Sequence, residues 1–179
     1  SQARENARLV RDQISEEIWR ELNRFHLMIN SSQNNSNWNH NPADFYRKVI
    51  DFCMLLSGLI NSTILHDEGW NFLQIGKHIE RADKTLRILQ IFNEKGTNNS
   101  YSISSTLRSA TAYSSYLSAT KGTFNAKSIY RFLLFAPSFP RSVRYCFRQL
   151  EYFLHQISGS PIGSSINPVE KSTHNIVAK

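Results

Sequence analysis

Apolar residues recur at steps of three and four along most of this 179-residue chain. The first series contains Ala3, Ala7, Val10, Ile14, Ile18, Leu22, Phe25 and Ile29, with no glycine or proline inside it. Such a period places one apolar stripe along a helix. No stretch shows the sustained period-two alternation that is typical of a strand. The pattern therefore predicts an all-α protein, built as an antiparallel helical bundle.

Glycine, proline and capping residues divide this pattern into about six to seven helices. The predicted helices cover residues 3–29, 41–62, 67–92, 103–120, 126–135 and 140–157, and a further helix begins at 167. Asn41, Asn125 and Asn167 are the expected N-caps, and Gly96 and Gly122 are the expected stops. The core positions of the third helix should be Phe72, Ile75, Ile79, Leu86 and Leu89.

The chain is long enough for one domain with a sizeable core. We expect residues 1–179 to form a single helical domain, with a Gly/Ser/Pro linker over 158–166 and the start of a further helix over 167–179. The chain begins without a methionine, directly in a helical pattern, and closes within another one. These ends suggest a fragment that is truncated at both ends.

The lengths of the apolar runs in the sequence argue against a membrane-spanning segment. No run approaches the roughly 18 consecutive apolar residues of a membrane span, and the first residues are polar and charged, unlike a signal peptide. Cys53 and Cys146 each lie in an apolar helical pattern, which favours reduced, buried thiols. A cytoplasmic protein is the expectation.

The formal net charge of +7 raises the question of an anionic partner. Nucleic acid is not favoured, because lysine and arginine are spread over most helices without a dense basic block. One basic row stands out at the start of the last long helix, where Arg141 and Arg144 form a candidate anion site. A solvated face with extended arginines is the alternative interpretation.

Two lanes of charged residues run beside the apolar stripes. Glu5, Arg8 and Asp12 recur at helical spacing on the first predicted helix. Glu80, Asp83 and Arg87 do the same on the third, with Arg81 beside them. If the lanes face one another, these seven residues would form a polar cleft that positions a substrate or acts as acid and base. They can equally be structural ion pairs.

Other chemical motifs are missing from the sequence. There is no Glu-x-x-His pattern for a di-iron bundle, no Gly-x-Ser-x-Gly elbow and no phosphate loop. We therefore predict no metal site and no cofactor, and the sequence contains no autonomous catalytic motif.

Three segments resemble the bacterial alpha-E domain family. They are Ala3-Arg4-Glu5-Asn6-Ala7-Arg8, the run from Trp70 to Thr85 that contains Gly76-Lys77-His78-Ile79-Glu80-Arg81-Ala82, and Phe139-Pro140-Arg141-Ser142-Val143-Arg144. The resemblance implies an all-helical fold and a longer protein, in which a Gly-x-x-x-Glu-Arg-Ala element occurs twice. The element at Gly76 to Ala82 corresponds to the second copy, and the first would precede Ser1.

The resemblance implies a protein partner rather than a defined reaction, because family members are typically encoded beside ATP-grasp ligase-like and transglutaminase-like proteins. The leading hypothesis is an accessory or scaffold module that works with such a partner in peptide or amide-bond chemistry. One alternative is an enzyme subunit with a Glu/Arg/Asp cleft. A second alternative is a module that binds anions or nucleic acid.

Overall fold

A computed structural model describes residues 2–34, 41–94, 99–164 and 167–178. Within these ranges the chain forms nine helices and no strands, which confirms the all-α prediction and is consistent with a helical bundle. The helices are α1 Gln2–Leu9, α2 Glu16–Asn34, α3 Pro42–Thr63, α4 Glu68–Glu94, α5 Ser100–Ser109, α6 Tyr113–Thr120, α7 Ala126–Phe135, α8 Val143–Ser158 and α9 Pro168–Val177. The predicted stop at Gly96 lies outside the described residues.

Contacts within the chain define two compact units, residues 1–66 and 67–179. We describe each unit by itself, and the single domain expected from the sequence stays a prediction. No helix in the described part of the chain is both long enough and apolar enough to cross a bilayer.

The first unit begins with a helical hairpin, so the single helix predicted over residues 3–29 is wrong. α1 ends at Leu9, and α2 begins after Ser15, whose Oγ accepts a hydrogen bond from the main-chain N–H of Ile18. An apolar stripe continues across this break because the two helices pack against each other and both bury apolar residues. The spacing of the apolar residues therefore did not indicate the turn between α1 and α2.

α3 completes the first unit by packing on α2. Asn41 caps it as predicted, and the rings of Phe25 and Phe52 stack with their centroids 3.8 Å apart. Cys53 is exposed on α3, so its predicted burial is wrong, whereas Cys146 in the second unit is buried, and both thiols are free. No residue of α3 is buried, and most of its residues are exposed, because the unit has only two other helices to cover it.

The second unit has an apolar core formed by α4 to α7 together with Phe139. Its buried members include Leu89, Ile103, Leu107, Ile129 and Leu133. The most extensive helix pair is α4 with α8, and α9 also packs against α8. Asn125 and Asn167 cap α7 and α9 as predicted.

The helix predicted over residues 103–120 is broken at Ala110–Ala112. The N–H of Ala112 donates to the carbonyl oxygen of Leu107 at 2.7 Å, and that of Thr111 to Arg108 at 2.9 Å. This is the Schellman pattern that ends a helix, and Thr111 adopts the left-handed conformation it requires, with φ of 54°. Glycine usually holds this position, so a threonine gave no stop signal.

Candidate anion-binding site

α4 buries a largely polar face against α8. Gln74, His78 and Thr85 are only 3%, 4% and 3% exposed. The core predicted for this helix was therefore wrong at Phe72, Ile79 and Leu86, which are 58%, 54% and 46% exposed, and correct at Leu89. The helical period was predicted correctly, but the face that meets α8 was not.

His78 lies at the centre of this interface. Its ring is 6.1 Å from the ring of Tyr145 and 6.2 Å from that of Phe153, measured between centroids. Its Nδ1 is shielded from solvent and has no hydrogen-bond partner in the described structure. Burial, together with the positive charges of Arg81 and Lys77, lowers the pKa of His78 to about 4. The imidazole is therefore neutral at pH 7.

Lys77 adds a second basic group beside His78. Its Nζ donates a 3.1 Å hydrogen bond to Oε1 of Gln74, whereas Nε2 of Gln74 is buried without a partner among the described residues. Burial lowers the pKa of Lys77, and repulsion from Arg81 adds to the effect. The lysine ammonium is thus held in a site that disfavours its charge.

Two guanidinium groups complete the cluster. Arg81 is half-buried on α4, and Arg141 precedes α8. Burial raises the pKa of the Cys146 thiol, and the positive charges of Arg81 and Arg141 oppose that rise. The carbonyl oxygen of Arg141 accepts a hydrogen bond from Thr85, one turn after Arg81, so both arginines belong to the same part of the contact between α4 and the start of α8. We call Lys77, His78, Arg81 and Arg141 the basic cluster.

Acidic groups do not balance this charge in the described part of the second unit. None of the ion pairs found there includes Lys77, Arg81 or Arg141. Glu80 is exposed, and Asp83 pairs with Arg87 through a 2.7 Å contact on the exposed surface of α4. An anion approaching Arg81 would therefore meet donors without displacing a carboxylate.

The predicted polar cleft is distributed over both units. In the first, Glu5 lies 3.1 Å from Arg4 and 3.7 Å from Arg8, all near the surface, and Asp12 falls in the turn after α1 rather than on the same helix. In the second, Glu80, Arg81, Asp83 and Arg87 lie on α4. That the two lanes face one another stays a prediction.

The predicted anion pair also divides. Arg144 lines a pocket together with Arg131, and Arg141 is not among the residues of that pocket. The first turn of α8 is already capped, since Oγ of Ser142 accepts from the N–H of Tyr145 at 3.1 Å. The sequence reasoning did not identify Lys77 and Gln74. The signal for Gln74 was its helical spacing from His78 and Thr85, at steps of four and then seven residues, which marks a polar face of α4.

Comparison with known proteins also draws attention to Glu80-Arg81 on α4. The whole chain, residues 1–179, matches the model of Alpha-E, described as a predicted alpha-helical domain with a conserved ER motif. Glu80-Arg81 is the one place in the sequence where glutamate is followed by arginine. The motif therefore supplies Arg81, the central arginine of the basic cluster.

Relatives found in mycobacteria carry the name of uncharacterised proteins. An uncharacterised protein of Mycobacterium bovis and another of Mycobacterium tuberculosis are each 28% identical over 166 residues, which cover 89% of this chain and 19% of the relative. The chain thus spans about a fifth of the length of these curated relatives. No solved structure matches it. The match over its full length shows that the chain belongs to the Alpha-E family.

Proposed function

We propose that this chain is a helical accessory module that holds the anionic end of a peptide for a partner enzyme. The observation that carries the proposal is the state of Arg81. It is a half-buried guanidinium that lies with Lys77 and Arg141 and has no carboxylate partner in the described structure. Withdrawing a cation from water without a counter-charge is unfavourable, and an incoming anion removes that cost.

A peptide carboxylate suits this cluster. A guanidinium donates two parallel hydrogen bonds to a carboxylate in one plane, and a neighbouring ammonium can donate a third from another direction. The side-chain amide of Gln74 lies beside Lys77, because its Oε1 accepts a hydrogen bond from the ammonium. Its Nε2 is buried and has no hydrogen-bond partner among the described residues. A carboxylate-bearing product of peptide or amide-bond chemistry would engage such a set of donors.

A protein partner is supported by a second flank of α4. Phe72, Ile79 and Leu86 recur at seven-residue steps and are all about half exposed. Side chains at this spacing form one apolar stripe, and exposed apolar stripes are typical of protein interfaces. The partner in this proposal is ligase-like or transglutaminase-like, and the complex is cytoplasmic.

The test is binding of a short peptide with a free terminal carboxylate, compared with the same peptide as its amide. We expect the acid to bind the protein and the amide to bind at least about tenfold more weakly. Arg81→Met should abolish this preference, and Arg81→Lys should reduce it because the planar fork is lost. Arg87→Met is the matched control on the same helix, since Arg87 already pairs with Asp83.

A spectroscopic reading at His78 makes the test specific to the cluster. A bound carboxylate offsets the charges of Arg81 and Lys77, so the pKa of His78 should rise above its value of about 4 when the peptide binds. An NMR titration of the His78 ring measures this change. Equal binding of acid and amide, or a pKa of His78 that does not move, would contradict the proposal.

Glu80→Gln separates this proposal from a catalytic role. Glu80 is exposed and lies outside the set of donors, so its neutralisation should leave both peptide binding and partner-dependent turnover intact. Loss of turnover in Glu80→Gln, with unchanged melting and peptide binding, would instead favour an enzyme subunit. Competition by an oligonucleotide at low salt would favour the nucleic-acid alternative.

A further inference from the structure

A pocket of about 480 Å³ lies where α6, α7 and the start of α8 meet. It is separate from the basic cluster and is within the size range of small-molecule sites. Six of the residues that line it matter for its chemistry: Thr123, Ser128, Arg131, Phe132, Phe135 and Arg144. The pocket combines cationic, hydroxyl and aromatic side chains.

The polar side of the pocket is built for an anion. Arg131 and Arg144 are both lining residues, and neither takes part in an ion pair in the described structure. Nε of Arg144 is shielded from solvent and has no hydrogen-bond partner there. A buried N–H donor without an acceptor is unfavourable, and an oxyanion between the two guanidinium groups would satisfy it.

Acidic residues are missing from this lining, which distinguishes the pocket from two others. A pocket between α2 and α3 includes Asp51 together with Arg24 and Lys48, and another along α8 includes Glu151 together with Arg148. Each of those pockets therefore already contains a carboxylate. The hydroxyl side chains in the lining of the pocket of Arg131 and Arg144 are those of Thr120, Thr123 and Ser128. The hydroxyl of Thr120 donates to the carbonyl oxygen of Tyr116, whereas those of Thr123 and Ser128 can donate to the same anion.

The apolar side would hold an organic body. Phe132 is buried and packs against Phe139 with ring centroids 5.0 Å apart, whereas Phe135 is half exposed at the pocket. An aromatic surface beside two guanidinium groups favours a flat apolar group that carries the charge. An inorganic anion would leave this surface unused.

Hydrogen bonds fix the walls before a ligand arrives. The hydroxyl of Tyr116 donates to the carbonyl oxygen of Thr123 at 2.5 Å, which closes the connection from α6 to α7. The hydroxyl of Ser142 donates to the carbonyl oxygen of Ala136 at 2.5 Å, which joins the end of α7 to the start of α8. Preformed walls reduce the entropy lost on binding.

We infer that the pocket between Arg131 and Arg144 is a binding site for a small organic anion, an oxyanion attached to a flat apolar group. Carboxylates and phosphate monoesters share this chemistry. The bidentate fork of Arg144 would hold the oxyanion, Arg131 would approach it from the exposed rim, and the phenylalanines would contact the apolar body.

Benzoate and phenyl phosphate are the probes, each added to the isotope-labelled protein while its amide NMR signals are recorded. We expect signals of Thr123, Ser128 and Arg144 to shift with at least one of them, with Kd about 1 mM for so small a ligand. Benzyl alcohol tests the need for charge, and inorganic phosphate tests the need for the apolar group. Both should bind at least about tenfold more weakly than the better organic anion.

Variants assign the effect to the two arginines. Arg144→Met should weaken binding about tenfold or more, and Arg144→Lys should weaken it less. Arg131→Met changes an exposed rim residue and keeps the test valid if Arg144→Met does not fold. Arg148→Met is the matched control, because Arg148 lies one turn further along α8 and lines the pocket that contains Glu151.

The results decide the inference in both directions. Preference for benzoate identifies a carboxylate site, and preference for phenyl phosphate identifies a phosphate site. The inference is wrong if neither probe shifts the pocket signals at about ten times the expected Kd. It is also wrong if benzyl alcohol binds as well as benzoate, or if Arg148→Met weakens binding as much as Arg144→Met and Arg131→Met do.

Discussion

Thr85 on α4 donates a 2.8 Å hydrogen bond from its Oγ1 to the main-chain carbonyl oxygen of Arg141, 56 residues later in the chain. This bond joins the middle of α4 to the turn that precedes α8. Since Arg81 lies one turn before Thr85, the bond also brings the main chain of Arg141 close to the turn of α4 that carries Arg81. It links the packing of the second unit to its proposed site.

Thr85→Val should therefore affect both stability and binding. Valine keeps the volume of the side chain but leaves the carbonyl oxygen of Arg141 without its donor, so we expect a loss of about 1 to 3 kcal/mol in the free energy of unfolding. Urea denaturation measures it. The peptide carboxylate should also bind more weakly. The control is Thr173→Val, a buried threonine whose hydroxyl donates within its own helix to Val169. Equal losses in both variants would contradict the prediction.

His78 should make the protein less stable in mild acid. Its pKa is about 4 in the folded chain and about 6.5 when unfolded, so between these values the unfolded state binds the extra proton. The contribution of His78 to the free energy of unfolding is fully present above pH 6.5 and is lost as the pH falls towards 4. Because one pKa unit corresponds to about 1.4 kcal/mol, the full loss is about 3 kcal/mol. Urea denaturation from pH 7.5 to pH 4.5 measures the slope.

The contribution of His78 is isolated by His78→Gln. The other histidines remain in both proteins, so the difference between the two slopes belongs to residue 78. We expect the variant to be less stable at pH 7.5 but to lose less stability on acidification. Parallel slopes in the two proteins would show that His78 is not held neutral by its surroundings.

Ser160 should hold α9 against α8. Its Oγ lies 2.7 Å from Nδ1 of His155 and donates to Oε1 of Glu170 at 3.2 Å, and both of these partners are buried. Ser160→Ala leaves the two groups 3.9 Å apart without the bridging hydroxyl. We expect a loss of about 1 to 3 kcal/mol and faster amide hydrogen exchange over α9. Ser172→Ala, which removes an exposed hydroxyl of α9, should change neither. Unchanged exchange in Ser160→Ala would contradict the bridge.

Thr111→Gly should stabilise the protein. A β-branched residue at φ of 54° is strained by about 1 to 2 kcal/mol, and glycine removes that strain at a smaller entropic cost. We expect a net gain of up to about 1 kcal/mol, read as a higher melting temperature. Ala110→Gly is the matched control, because its φ of −81° needs no glycine and the change should destabilise. A lower melting temperature for Thr111→Gly would refute the strain.

Local signals in the sequence were sufficient for most helices. Asn41, Asn125 and Asn167 each accept a hydrogen bond from a main-chain N–H three residues later, as predicted, because such caps involve only neighbouring residues. The two missed breaks have a different origin. At Ser15 the apolar stripe passes from one helix to the next without a glycine, and at Thr111 the surrounding structure holds a threonine in a conformation that it does not favour alone.

The candidate site could be predicted only in part for a similar reason. Glu80-Arg81 was identified from the sequence, but the grouping of Arg81 with Lys77 and Arg141 depends on which face of α4 meets α8. Arg144 was grouped with Arg141 because they are close in sequence. The structure places Arg144 on the first turn of α8, where it lines a pocket with Arg131, whereas Arg141 lies in the turn before the Ser142 N-cap and is not part of the helical row.

The sequence by itself determined that this protein is all-α, where most of its helices begin, and that Glu80-Arg81 lies on one of them. Only the tertiary structure decided that α4 turns Gln74, His78 and Thr85 inward and leaves Phe72, Ile79 and Leu86 at the surface. A helical period indicates that an apolar stripe exists, but it does not predict which face of the helix a neighbouring helix will cover. Here the buried polar side chains pack on α8, and the hydroxyl of Thr85 donates to the carbonyl oxygen of Arg141 in the turn before that helix.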